Sequence, residues 1–150
     1  TNIPGSEKVI VDSDALIGLI NESDQLHRRC LKISQYLARS GLGMIVPYPV
    51  VLEAATTLAK DKIINRPDLA AKLLQDYAAI DEKPFFDQDV VGLVAKLYFP
   101  KTSKRNTPFD HYVLALAKKN NIKYVFSFDS FYRKNGLVLA ESLVEKSGGT

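Results

Sequence analysis

The stretch Val9-Ile10-Val11-Asp12-Ser13-Asp14-Ala15-Leu16-Ile17 decides how this chain is read. Lys8 to Val11 reads as a short buried strand, because an unbroken apolar run suits a strand covered on both faces. Ala15 to Ile20 is apolar and helical. Asp12 stands between them, an acid where apolar sequence would otherwise run on. A strand that ends on an acid and passes into a helix is the opening unit of an α/β domain, whose ligands gather at the carboxyl ends of strands.

Working outward, Asp24 to Arg39 carries Leu26, Cys30, Leu31, Ile33, Tyr36 and Leu37 at a helical period. Gly41 and Gly43 punctuate, and Met44 to Val46 is a second strand. Pro47 and Pro49 introduce a helix from Val50 to Asp61, and Pro67 introduces another from Asp68 to Ile80. Lys83 to Phe86 reads as a weak third strand. A helix from Asp89 to Tyr98 stops before Pro100, and another runs from Thr107 to Asn120. Lys123 to Phe128 is the clearest later strand, and Leu137 to Leu139 is one more. Short strands alternating with helices predict a single three-layer α/β/α domain over residues 1–150, with a central, mostly parallel sheet of four to five strands. Residues 1–7 and 146–150 are expected to be flexible tails.

Composition narrows the functional classes. With 150 residues, 46% apolar and 25% charged, the chain suits one globular domain with a real core. A net charge of +3 permits a nucleic-acid partner without requiring one. The single cysteine, Cys30, excludes an internal disulfide and is expected as a small core or surface residue. No apolar run approaches the ~20 residues of a membrane helix, and the first residues lack the apolar core of a signal peptide. The cytoplasm is the expected location.

Three further acids share the character of Asp12. Glu53 interrupts Val50-Val51-Leu52 and Ala54-Ala55, Asp110 opens an apolar helix after Thr107-Pro108-Phe109, and Asp129 ends the run Tyr124 to Phe128. Two unit charges at 4 Å repel by roughly 4 kcal/mol at an effective dielectric near 20. A shared divalent cation removes that penalty, so the four acids point to a metal-dependent site.

In this order the acids and their surroundings resemble the PIN-domain ribonucleases. The block Val9 to Ile17 is similar to the opening of that family. So are the acid in Val51-Leu52-Glu53-Ala54, the apolar helix Phe109-Asp110-His111-Tyr112-Val113-Leu114-Ala115-Leu116-Ala117, and the closing Ser127-Phe128-Asp129. The likeness covers nearly the whole chain, and its length is that of VapC-type toxins of toxin–antitoxin pairs. The resemblance implies that Asp12, Glu53, Asp110 and Asp129 are catalytic, metal-binding acids, with Ser13 and Ser127 as supporting hydroxyls. Asp14 departs in detail from a position that is often neutral, and is expected to add charge at the site rim. Mg2+ or Mn2+ suits an all-oxygen ligand set. The implied partners are an RNA substrate and a small antitoxin protein, with the chain itself a homodimer.

Simpler readings compete. Asp12 and Asp129 fit helix caps, and Thr107 to Asp110 reads as a capping box with Asp in place of Glu. His27 and His111 read as surface or packing residues. Lys101, Lys104 and Arg105 are the best candidates to contact RNA phosphates, because that loop leads into Asp110; Lys118, Lys119, Arg133 and Lys134 are further candidates. The rival enzyme is a haloacid-dehalogenase-like phosphatase using Asp12-Ser13-Asp14, against which Leu16 and the lack of a placeable later lysine both count. A non-catalytic PIN-like RNA-binding or scaffold module is the rival of another class.

Overall fold

The first strand sits at the centre of the sheet because its residues can be nowhere else. In a computed structural model that describes residues 7–81, 89–100 and 106–148, β1 (Lys8–Val11) has Val9, Ile10 and Val11 wholly buried. Successive strand residues point to opposite faces, so burial of all three means that both faces are covered. Among the described residues four strands form one parallel sheet, in the order β2-β1-β3-β4. Strand β2 (Gly43–Ile45) pairs Val9 with Met44 and Ile10 with Ile45. Strand β3 (Tyr124–Phe126) lies on the other side, pairing Val9 with Tyr124 and Val11 with Phe126, and β4 (Val138–Leu139) closes the edge. The chain therefore leaves β1 toward one neighbour and later returns to its other side. The crevice beyond the carboxyl ends of β1 and β3 is a topological switch point.

Among the described residues eight helices connect and cover the sheet: α1 (Ser13–Ile20), α2 (His27–Arg39), α3 (Tyr48–Lys60), α4 (Pro67–Ala78), α5 (Asp89–Leu97), α6 (Pro108–Lys119), α7 (Ser130–Lys134) and α8 (Ala140–Lys146). Helices α1 and α2 approach closely at Gly18, where an added Cβ would lie 2.5 Å from Cys30 Sγ. Cys30 is fully buried, a core residue. Helix α3 buries Val50, Val51, Ala54, Ala55 and Leu58, the face that holds it to the domain and points Glu53 elsewhere.

The elements differ from the expected bounds for local reasons. Helix α2 starts at His27 rather than Asp24, because Asp24 Oδ1 accepts the Leu26 amide at 2.8 Å and forms a turn. Strand β3 ends at Phe126, since the Phe128 amide donates to Asp14 rather than to a neighbouring strand. Helices α7 and α8 were not anticipated, and α8 runs to Lys146, the first residue of the expected tail. The third strand at Lys83 to Phe86, the tail residues 1–6, 149 and 150, and Lys101, Lys104 and Arg105 lie outside the described residues.

Candidate active site

Asp12 is placed at the switch point by the sheet itself. Its amide donates to the carbonyl of Phe126 at 3.0 Å, extending the β1–β3 ladder by one bond, and the residue is 3% exposed. Its side chain caps α1, Oδ1 accepting the Ser13 amide at 2.8 Å. Oδ2 accepts the hydroxyl of Tyr132 at 2.5 Å. Burial pushes the Asp12 carboxyl up to about 7; the Tyr132 bond opposes the rise, and the charges of Asp14 and Asp110 add to it.

The other three acids arrive from three helices. Asp110 stands in the first turn of α6, where Oδ2 accepts the Thr107 amide at 2.9 Å as the capping-box pattern expects. Asp129 caps α7 through Oδ1, which accepts the Phe131 amide at 2.9 Å. One amide nitrogen joins these two: Asn106 Nδ2 donates to Asp110 Oδ2 at 3.3 Å and to Asp129 Oδ2 at 3.0 Å. The Tyr132 hydroxyl lies 3.5 Å from Asp110 Oδ1, linking that pair back to Asp12. Glu53 comes from α3. The Ser13 side chain bonds it, while its Oε1 is buried with no hydrogen-bond partner. Burial raises the carboxyls of Glu53 and Asp110, and neighbouring acids raise them further. Capping does not compete with a place in the crevice: Asp12, Asp110 and Asp129 each bond a helix start and still lie at the same end of the sheet.

The model of a known family, described as PIN domain, matches residues 9–136 of this chain. The chain belongs to the PIN domain family. No curated protein matches it significantly. Among solved structures it resembles VapC20 of Mycobacterium tuberculosis, described as a sarcin–ricin loop cleaving toxin. The TM-score is 0.71 at 15% identity, over 87% of this chain and 96% of that one. At that identity the likeness is one of fold.

Within this PIN domain, Asp14 does more than add charge beside Asp12 and Glu53. Its Oδ2 accepts the Ser127 hydroxyl at 3.0 Å and the Phe128 amide at 2.8 Å, and its Oδ1 accepts the Ala15 amide. Ser127 Oγ in turn accepts the Asp129 amide at 3.1 Å. Asp14 and Ser127 therefore tie the start of α1 to the segment that presents Asp129. These bonds, with the family match, disfavour the phosphatase reading of Asp12-Ser13-Asp14. His111 is 3% exposed, its Nδ1 donating to the Thr107 carbonyl at 2.9 Å between the rings of Tyr98 and Phe131. It packs the start of α6. His27 Nδ1 lies 2.7 Å from the Gly18 carbonyl, between α1 and α2. Lys118 and Lys119 lie in the last turn of α6, about 12 Å along the axis from Asp110, so the helix does not bring them to the acids. Two residues that shape the site escaped the sequence reading: Tyr132 altogether, and Asn106 as a bridge. The signal for Tyr132 was a polar aromatic one turn after Asp129.

The PIN domain's donor set fits a hard cation. All four candidate ligands are carboxylates, burial disfavours the charge of Asp12, Glu53 and Asp110, and one buried Glu53 oxygen has nothing to bond among the described residues. Among the described residues no three His, Cys, Asp or Glu side chains already close on a common point. Neutral donors, Tyr132 and Asn106, bridge the acids and hold them in place.

Proposed function

We propose that this PIN domain is a Mg2+- or Mn2+-dependent endoribonuclease that hydrolyses RNA phosphodiester bonds as the toxin of a toxin–antitoxin pair. The observation that carries this reading is the gathering of Asp12, Glu53, Asp110 and Asp129 at the switch point, with Glu53 Oε1 buried and unbonded. Acids so placed stay charged together most readily when a cation shares their charge. These four residues would hold the ion. The bound ion would supply Lewis acidity and neutralise charge developing on the phosphate. Ser13 steadies Glu53, Asp14 and Ser127 steady Asp129, and Asn106 holds Asp110 and Asp129 in one register.

The likeness to a toxin that cleaves the sarcin–ricin loop supports the toxin half of the reading. An antitoxin would close the crevice with a cationic side chain, for which a bidentate Arg suits clustered carboxylates best. Lys101, Lys104 and Arg105 would contact RNA phosphates ahead of Asp110. No described helix is long and apolar enough to cross a membrane. A homodimer completes the reading, with the exposed Val91 and Phe99 as apolar candidates for the contact.

The test is cleavage of RNA by the wild type and by Asp12→Asn, in Mn2+ and in EDTA. Cleavage that needs the ion and falls by orders of magnitude in the variant, at native circular dichroism, is expected. Equal cleavage by Asp12→Asn in metal-replete buffer would refute the site.

A further inference from the structure

Tyr132 is fully buried, and its hydroxyl is buried with it. Packing alone does not call for that oxygen. The Tyr132 ring already meets Phe131 edge-on at 5.2 Å, and phenylalanine would fill the same space. A hydroxyl taken out of water without a partner costs roughly 1–3 kcal/mol on protein scales. Here, among the described residues, the oxygen finds partners only in acids of the candidate site: Asp12 Oδ2 at 2.5 Å and Asp110 Oδ1 at 3.5 Å.

The backbone fixes where that hydroxyl stands. Asp129 caps α7, the Tyr132 amide lies 3.4 Å from the Asp129 carbonyl, and the Leu137 amide bonds the Tyr132 carbonyl at 3.0 Å as the chain turns into β4. The ring is thus delivered from the helix that Asp129 starts to the acid at the end of β1. With the Ser13 amide on Oδ1 and the Tyr132 hydroxyl on Oδ2, both oxygens of Asp12 are pinned. A carboxylate has about four lone-pair sites, so one on each oxygen stays available.

We propose that Tyr132 is a positioning residue for the metal site. Its hydroxyl fixes the rotation of the Asp12 carboxylate, and through its longer contact sets Asp110 beside it, so that both acids meet one divalent cation without reorganising. This rests on the metal-dependent reading above. Tyr132 touches neither substrate nor ion; it acts through Asp12. Outer donors of this kind change metal affinity by about 10–100-fold when removed.

The variant is Tyr132→Phe, which keeps the ring and deletes one atom. Metal-free wild type, Tyr132→Phe and Asp12→Asn are titrated with Mn2+ by calorimetry, and RNA cleavage is measured alongside. Tyr132→Phe should bind Mn2+ about 10–100-fold more weakly. Its kcat should fall at subsaturating Mn2+, with KM for RNA unchanged, and recover as Mn2+ is raised. A residue that only packs would leave Mn2+ affinity at the wild-type value, and a hydroxyl that competes with the ion would let affinity rise. Either result overturns the proposal while leaving the metal reading intact, provided wild type binds and Asp12→Asn does not. Wild type that binds no Mn2+ takes both readings down together.

Discussion

Replacing Asp12 with Asn should stabilise the metal-free protein at alkaline pH even as it removes activity. The Asp12 carboxyl stands at about 7 in the folded chain against an ordinary 3.8. Between those values the folded state keeps a proton that the unfolded chain has released. Stability therefore falls as pH rises through that window, and the loss is complete above about pH 7. A displacement of ~3 pH units amounts to about 4 kcal/mol. Asn carries no charge and escapes that cost. Against it stands one acceptor lost: Asp12 receives both the Ser13 amide and the Tyr132 hydroxyl, and an amide side chain has a single oxygen. That rearrangement costs about 1–2 kcal/mol. A net gain of ~2–3 kcal/mol near pH 8 follows, or a rise in Tm of roughly 5–10 °C for a chain of this size. Urea unfolding in EDTA at about pH 4 and about pH 8 measures it. Near pH 4 the advantage should vanish or reverse, and Mn2+ near pH 8 should favour the wild type. A difference near pH 8 that is zero or negative, or equal at both pH values, would refute the reasoning.

Three further outcomes are expected. Asp14→Ala breaks the bonds to Ser127 and Phe128 and should lower stability by about 1–3 kcal/mol, seen as a lower urea midpoint; an unchanged midpoint would mean that the tie is idle. Gly18→Ala brings a methyl against Cys30 Sγ and should cost about 1–3 kcal/mol, most of it recovered when Cys30→Ala is added, as a double-mutant cycle in urea would reveal. Neutralising Lys104 and Arg105 together should reduce the salt slope of binding to single-stranded RNA by ~0.7 per lost phosphate contact; a changed sequence preference at constant affinity would mean that they read bases instead.

The acids were legible in the sequence because each violates its surroundings. A charge after Val9-Ile10-Val11, or inside Val50 to Ala55, is visible without knowing what it faces. What stayed hidden were pairings across the chain. Asp14 looks like a second rim acid until Ser127 is beside it, 113 positions later. Tyr132 reads as one more apolar ring, because its partner Asp12 is 120 positions away. The sheet followed from apolar runs, whereas α7 and α8, of 5 and 7 residues, are too short to display a helical period. The start of α2 was misplaced because Leu26 fits the helical pattern although the Asp24 turn holds it outside.

The sheet order has a consequence for how activity arises during synthesis. Strand β1 lies between β2, which follows it closely in the chain, and β3, which is made some hundred residues later. A nascent chain can pair β1 with β2 early, yet the crevice needs β3 beside β1, and Asp129 and Tyr132 just beyond it. Closing so long a loop comes late, after local contacts have formed. The growing polypeptide carries Asp12 and Glu53 but has no assembled centre while the ribosome is still at work on it. On the proposed ribonuclease reading, that delay leaves each molecule without an assembled site until β3 and α7 have docked.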